Sequence, residues 1–178
     1  TTPTITGTTN AADGSTVTLV IVQGANSYTV TATVAGGTYS ADAPVALVDG
    51  GYTVAASVSD AAGNTGTAND AGTIDATAPA ITVAAPDNSN DPTPTITGTT
   101  DAADGSTVTL TIVQGANSYT VTASAAGGAY SADAPVALVD GGYTVSASVS
   151  DAAGNTGTAN DAGSIDATAP SITVAAPD

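Results

Sequence analysis

Apolar and polar residues alternate with a period of two along most of the chain. In "STVTLVIVQ" Val17, Leu19 and Ile21 share one face, and in "SYTVTATV" Tyr28, Val30 and Ala32 do. In "GYTVAASVS" the same holds for Tyr52, Val54, Ala56 and Val58, with Thr, Ser or Ala on the opposite face each time. Strict alternation is the mark of a half-buried strand, because successive side chains of an extended backbone point to opposite faces. Between the runs stand "NAADGS", "QGANS", "AGG", "DGG" and "DAAGN", whose Gly, Asn and Asp favour tight turns. No window carries a helical period.

The pattern occurs twice. Residues 1–87 aligned with 92–178, an offset of 91, agree at 78 of 87 positions, far more than two diverged domains retain. A period of this length fits one independently folding domain per copy, not a solenoid of small repeats. The expected division is a first repeat over 1–78, a second over 79–169, and a closing segment 170–178. Substitutions between the copies follow the alternation: Val20 becomes Thr111, Thr33 becomes Ser124 and Ala55 becomes Ser146, all on the outward face, and the inward exception is Val34 to Ala125 near a strand end. About seven strands per repeat are predicted, at Ile81–Ala84 (supplied by the linker to the second copy), Thr4–Thr8, Thr16–Val22, Tyr28–Val34, Tyr39–Ala41, Tyr52–Ser59 and Gly72–Ile74. Short strands at this density imply an antiparallel sandwich. Tyr52 and Tyr143, each at a strand start after "LVDGG", are expected to form a tyrosine corner between the sheets.

Composition narrows the function. Sixteen acidic residues, all Asp, face no Lys, Arg or His, so the formal charge of −16 has no side-chain partner within the chain. Such self-repulsion favours solubility and opposes compaction, and the compensating cations must come from solvent. Nucleic acid is excluded as a partner, since backbone recognition needs Lys or Arg. With no Cys or Met, neither disulfides nor thiolate metal sites arise. No apolar run approaches the roughly 20 residues of a membrane span, so direct membrane insertion is not expected. No signal peptide opens the chain, and any targeting signal is expected to lie elsewhere. Catalysis is not expected: without His, Cys, Lys, Arg or Glu no hydroxyl has a recognisable base.

"PTITGTT", "GSTVTLTI", "LVDGGYTVSASVSDAAGN" and "IDATAPSITV" together resemble the bacterial Ig-like tandem repeats of giant biofilm-associated and repeats-in-toxin adhesins of Gram-negative bacteria. The resemblance covers both copies nearly end to end. It implies two tandem Ig-like antiparallel β-sandwich domains in an elongated rod, extracellular, on a bacterial cell surface or in biofilm matrix, acting as extender repeats. It further implies Ca²⁺ near the domain junctions, with neighbouring identical repeats as partners.

Hard cations of the Ca²⁺ type take roughly six to eight oxygen ligands, and only Asp supplies charged ones here. In an Ig-like sandwich the incoming chain of the next domain meets one set of loops. Asp75 is therefore expected near the loops of the second copy that carry Asp101, Asp104, Asp151, Asn155 and Asp161. The equivalent end of the first copy would use Asp13, Asp60, Asn64 and Asp70, and Asp166 repeats the role of Asp75. For Asp60 and Asp151 an Asx turn that caps backbone N–H groups is the competing reading. "DNSND", Asp87–Asp91, reads as a solvated loop, and Asp42 and Asp49 read as turn residues.

The frame leaves two further readings. The first copy opens at "TTPTITGTT", its second predicted strand, while "PSITVAAPD" closes the chain as a first strand with no domain after it. Either the boundary falls at an arbitrary point in an array, or Ser171–Ala176 adds to the edge of the next molecule and builds a homopolymer by strand addition. Other readings are a passive spacer in a secreted polysaccharide-degrading enzyme and a halophilic surface that needs only screening.

Overall fold

A computed structural model of the chain describes residues 1–177; Asp178, the last residue of the expected closing segment, lies outside the described residues. The described residues hold twelve β-strands and no helix. The chain divides into two compact units, Thr1–Thr77 and the part from Ala78 onward.

In the first unit, β1 (Thr4–Thr8) pairs antiparallel with β4 (Thr38–Asp42). A second sheet has the order β3 (Asn26–Thr33), β2 (Thr16–Gln23), β5 (Gly50–Ser59), β6 (Thr65–Ile74), all antiparallel. The second unit repeats this with β7 (Thr95–Thr99) on β10 (Ala129–Asp133), and β9 (Asn117–Ser124), β8 (Thr107–Gln114), β11 (Gly141–Ser150) and β12 (Thr156–Ile165) in that order. Each unit is thus a two-sheet antiparallel sandwich. The alternation predicted from the sequence fills its core. Val17, Leu19 and Ile21 are buried in the first unit, and Val108, Leu110, Ile112, Val145 and Val149 in the second. Ala55, Thr33, Ser124 and Ser146, all exchanged between the copies, are exposed.

The β2–β3 hairpin turns in two residues, Gly24-Ala25, with Gln23 opposite Asn26. Gly24 has φ +59° at the first turn position, where a type II′ hairpin needs a residue without a Cβ penalty. Gln23 also clamps the strand-free stretch before β5. Its side-chain amide donates to the Val48 carbonyl at 2.7 Å and accepts from the Val48 N–H at 3.0 Å, and Gln114 repeats this on Val139 at 2.8 and 3.0 Å.

Three expectations are corrected. The last strand of each repeat is ten residues long, Thr65–Ile74 and Thr156–Ile165, where the sequence suggested only Gly72–Ile74. "TGTANDA" is small and polar, so the hydrophobic pattern is silent there, yet its backbone pairs residue by residue with β5 from Ser59–Thr65 to Gly50–Ile74. The predicted first strand, Ile81–Ala84, makes only isolated bridges, Ile81 to Thr100 and Ala84 to Thr97. The flanking Pro79 and Pro86 carry no N–H for a ladder. The expected tyrosine corner fails at Tyr143, whose hydroxyl donates not to backbone just upstream but to the Pro86 carbonyl at 3.1 Å, 57 residues away.

Candidate functional site

The acidic residues singled out from the sequence are used locally by the backbone. Asp60 closes the β5–β6 turn: its Oδ1 accepts from the N–H groups of Ala62 and Asn64, each at 2.9 Å, and its Oδ2 accepts from Asn64 Nδ2 at 2.8 Å. Asp151 takes the Asn155 N–H and Nδ2, both at 2.9 Å. These are Asx turns, the reading that competed with metal ligation. Hydrogen bonding to the charged form, chiefly from the Asn64 and Asn155 side chains, holds both carboxyls below the usual aspartate range.

Asp13 and Asp104 each accept the N–H of a glycine across a loop, Gly36 at 2.9 Å and Gly127 at 2.8 Å. Asp70 accepts from the Ala71 N–H at 2.9 Å and Asp75 from the Thr77 N–H at 3.3 Å. In the second unit Asp101 takes the Ala80 N–H at 2.7 Å and Asp161 the Ala85 N–H at 2.8 Å. The backbone N–H of Asp166 donates to Ser89 at 2.9 Å.

The expected ligand set therefore does not assemble inside a unit. Asp70 and Asp161 lie within strands, opposite Val54 and Val145, and not in the loops where the sequence placed them. Asp161 is six residues along an extended strand from Asn155, a span of about 20 Å at strand rise. Among the described residues no three acidic side chains gather as a metal-holding group. Within each unit the donors do not fit a carboxylate-rich Ca²⁺ shell, and an ion there would have to draw on backbone carbonyls, Asn side chains and water.

One acidic residue read as a simple turn residue, Asp49, does more, and so does its counterpart in the second copy, Asp140. Asp49 accepts from the Ala76 N–H at 2.6 Å and from the Thr77 hydroxyl, tying down the chain where it leaves β6, and Asp140 does the same with Ala167 (2.7 Å) and Thr168. The threonine hydroxyl first, and then the alanine N–H, lower both carboxyl pKa values. The signal was in the sequence: "Asp-Ala-Thr-Ala-Pro" recurs after each last strand, and its Ala and Thr are the partners of a distant Asp.

The second structural theme is the segment 79–89, which lies along the edges of β7 and β12 in the second unit. The N–H groups of Thr82 and Ala84 donate to Thr99 and Thr97 at 2.8 and 2.7 Å, and Ser89 bridges in parallel to Ile165. Ile81 and Val83 pack on the core and Ala85 enters it. Tyr130 donates to the Thr82 carbonyl at 2.5 Å. Burial raises the pKa of the Tyr130 and Tyr143 hydroxyls, with Asp87 and Asp161 adding to the effect at Tyr143.

This two-sheet antiparallel arrangement, built twice among the described residues, defines an Ig-like module. The model of the bacterial Ig-like domain matches residues 1–76 and 71–167, and the chain belongs to that family. No curated protein matches the chain. Among solved structures it is similar to one described as bearing on host cell surface retention of a 1.5-MDa bacterial ice-binding adhesin. That likeness has 30% identity and a TM-score of 0.52, over 93% of this chain and 58% of that one. It is also similar to a tetra-tandem repeat in the extending region of a large adhesion protein, with 37% identity and a TM-score of 0.49, over 94% of this chain and 46% of that one. The chain thus spans about half the length of these relatives.

Proposed function

We propose that the chain is a structural extender segment of a secreted bacterial surface adhesin or biofilm matrix protein, with no catalytic activity of its own. The observation that carries this reading is the repetition itself: two nearly identical bacterial Ig-like modules whose hydrogen-bonding side chains are spent on their own turns and edges. Similarity to an adhesin structure supports the context. A spacer needs length and stability, and both copies invest in turn caps and segment clamps. The test is a swap in the parent adhesin. Replacing these repeats by an unrelated Ig-like pair of equal length should preserve adhesion, and deleting them should weaken it. Adhesion lost on the equal-length swap would mean that the repeats themselves bind.

The finer part of the proposal is reinforcement by Ca²⁺. Its support is the −16 charge without a single side-chain cation, which leaves the aspartates to be balanced by cations from solvent. Extracellular calcium modules bind at about 10⁻⁴–10⁻³ M, so equilibrium dialysis against radioactive calcium at millimolar concentration reads occupancy directly.

A second reading is a subunit of a self-assembling extracellular filament, joined head to tail through the C-terminal segment. Beyond Ile165 the described residues form no strand, and Ile172 and Val174 are 93% and 97% exposed. The segment 170–177 repeats the 79–86 stretch whose Ile81 and Val83 pack on the second unit, so its apolar face suits an edge of the same kind.

A further inference from the structure

The segment 79–89 changes partner partway along its length. Its first part runs antiparallel to β7, with Ile81 bridged to Thr100 and Ala84 to Thr97. From Ala85 onward it runs beside β12 in the same direction, and Ser89 bridges to Ile165 in parallel. The contacts with β12 climb both stretches together. A Cβ on Gly157 would lie 1.9 Å from the Pro79 carbonyl oxygen, and one on Gly163 2.4 Å from that of Pro86. Glycine at these two places lets the segment close on the strand.

The densest bonding joins residues 85–89 to residues 161–166. The Ala85 N–H donates to Asp161 at 2.8 Å, and the Ser164 N–H and the Tyr143 hydroxyl both donate to the Pro86 carbonyl at 3.1 Å. The Asn88 N–H donates to the Ser164 hydroxyl oxygen at 2.9 Å, the Ser89 N–H to the Ser164 carbonyl at 3.0 Å, and the Asp166 N–H to the Ser89 carbonyl at 2.9 Å. Among the described residues Asn88 is the one non-glycine residue with positive φ, 50°. Such a conformation persists where its surroundings fix it, and here bonds on both sides of it do.

The chain enters the segment at its Pro79 end and leaves β12 at its Ile165 end, and in a parallel pair these are opposite ends of the ladder. Tension on the chain therefore draws the segment and the strand past each other along their own axes. The bonds between them carry that load jointly, whereas a ladder opened from one end gives way bond by bond. β12 does not slide alone, since β11 pairs with it from Gly141–Ile165 to Ser150–Thr156. We propose that the second unit bears tension, and that the pairing of residues 85–89 with 161–166 is the shear clamp that resists it. The proposal deepens the extender reading and rests on it for the load: a spacer that holds a distant contact is pulled whenever that contact is drawn away.

The chain has no cysteine, so pairs of introduced cysteines set the direction of pull on the full chain in single-molecule force spectroscopy. Measured in excess EDTA, the response belongs to the protein's own bonds. Handles at Ala78→Cys and Ala169→Cys shear the clamp. Handles at Asn90→Cys and Ala169→Cys, both at the Ser89–Ile165 end, peel it open. Forced unfolding is governed by the unfolding rate along the pulled direction, and the shear force is expected to be about twofold or more above the peeling force. Asp161→Ala with Ser164→Ala removes the side-chain acceptors of the Ala85 and Asn88 N–H groups and keeps the backbone bonds. This double variant, checked for folding by circular dichroism, should lower the shear force and leave the peeling force where it was. Equal forces in the two directions, or a double variant that lowers both alike, would overturn the clamp and leave the extender reading standing. Adhesion lost on the equal-length swap beside a directional force would overturn the extender reading instead.

Discussion

At the scale of single residues, the aspartates act first as hydrogen-bond acceptors for the backbone and only then as charges. Asp60 and Asp151 hold their turns through contacts that favour the ionised form. A carboxyl whose folded pKa is depressed contributes stability above its unfolded value, about 4, and loses that contribution as pH falls through the folded value. Asp60→Asn and Asp151→Asn keep an acceptor oxygen and lose the charge. The variants should therefore melt slightly below the parent at pH 7, with the gap closing as pH falls through the lowered folded pKa. Protonation also relieves the general repulsion, so the difference between variant and parent is the quantity to follow, by thermal melts across pH. A gap independent of pH would assign the loss to packing.

Gly157 and Gly66 make a sharper pair, because the same sequence position has a neighbour in one unit and none in the other. Gly157→Ala should destabilise the second unit by about 1–3 kcal/mol, the usual range for overpacking. Gly66→Ala should be neutral or slightly stabilising, since alanine loses less backbone entropy in a strand. Denaturant unfolding of the two variants gives the comparison, and equal effects would refute the assignment. None of this could be read from the sequence, where the two glycines stand in the same context, "GNTGTAND".

Among the strands, legibility followed hydrophobicity. β2, β3 and β5, with Val, Leu, Ile and Tyr on alternate positions, were apparent from the pattern with ends shifted by one or two residues. β6 was not, because Thr, Gly, Ala, Asn and Asp carry no apolar face. It exists through its backbone pairing to β5 and the Asp60 turn that sets the register. That error moved Asp70 and Asp161 into loops and with them part of the expected ligand set. The Asx-turn reading of Asp60 and Asp151 needed only local sequence and stood; the convergence of distant aspartates needed a correct strand map. A stability contrast follows from the edge segment. Ile96→Ala, fully buried beneath residues 79–89, should cost about 2–5 kcal/mol. Ile5→Ala, half-buried in the first unit, should cost less than half as much. Hydrogen exchange resolved by unit reads both, and similar losses would mean that the covering segment adds little.

On the scale of the whole molecule the dominant fact is sixteen negative charges without a side-chain cation. An extender reinforced by Ca²⁺ and a chain that merely needs screening make different demands on the solvent. The measurement that separates them is thermal unfolding of the chain in excess EDTA, in millimolar Ca²⁺, in millimolar Mg²⁺ and in molar NaCl. Specific coordination raises the midpoint by mass action, about 0.4–1.4 kcal/mol for each site at 1 mM free ion and a dissociation constant of about 10⁻⁴–10⁻³ M. The account predicts a rise with Ca²⁺ that Mg²⁺ and NaCl do not reproduce. An equal rise in NaCl would contradict it, leaving sixteen aspartates that ask only for screening.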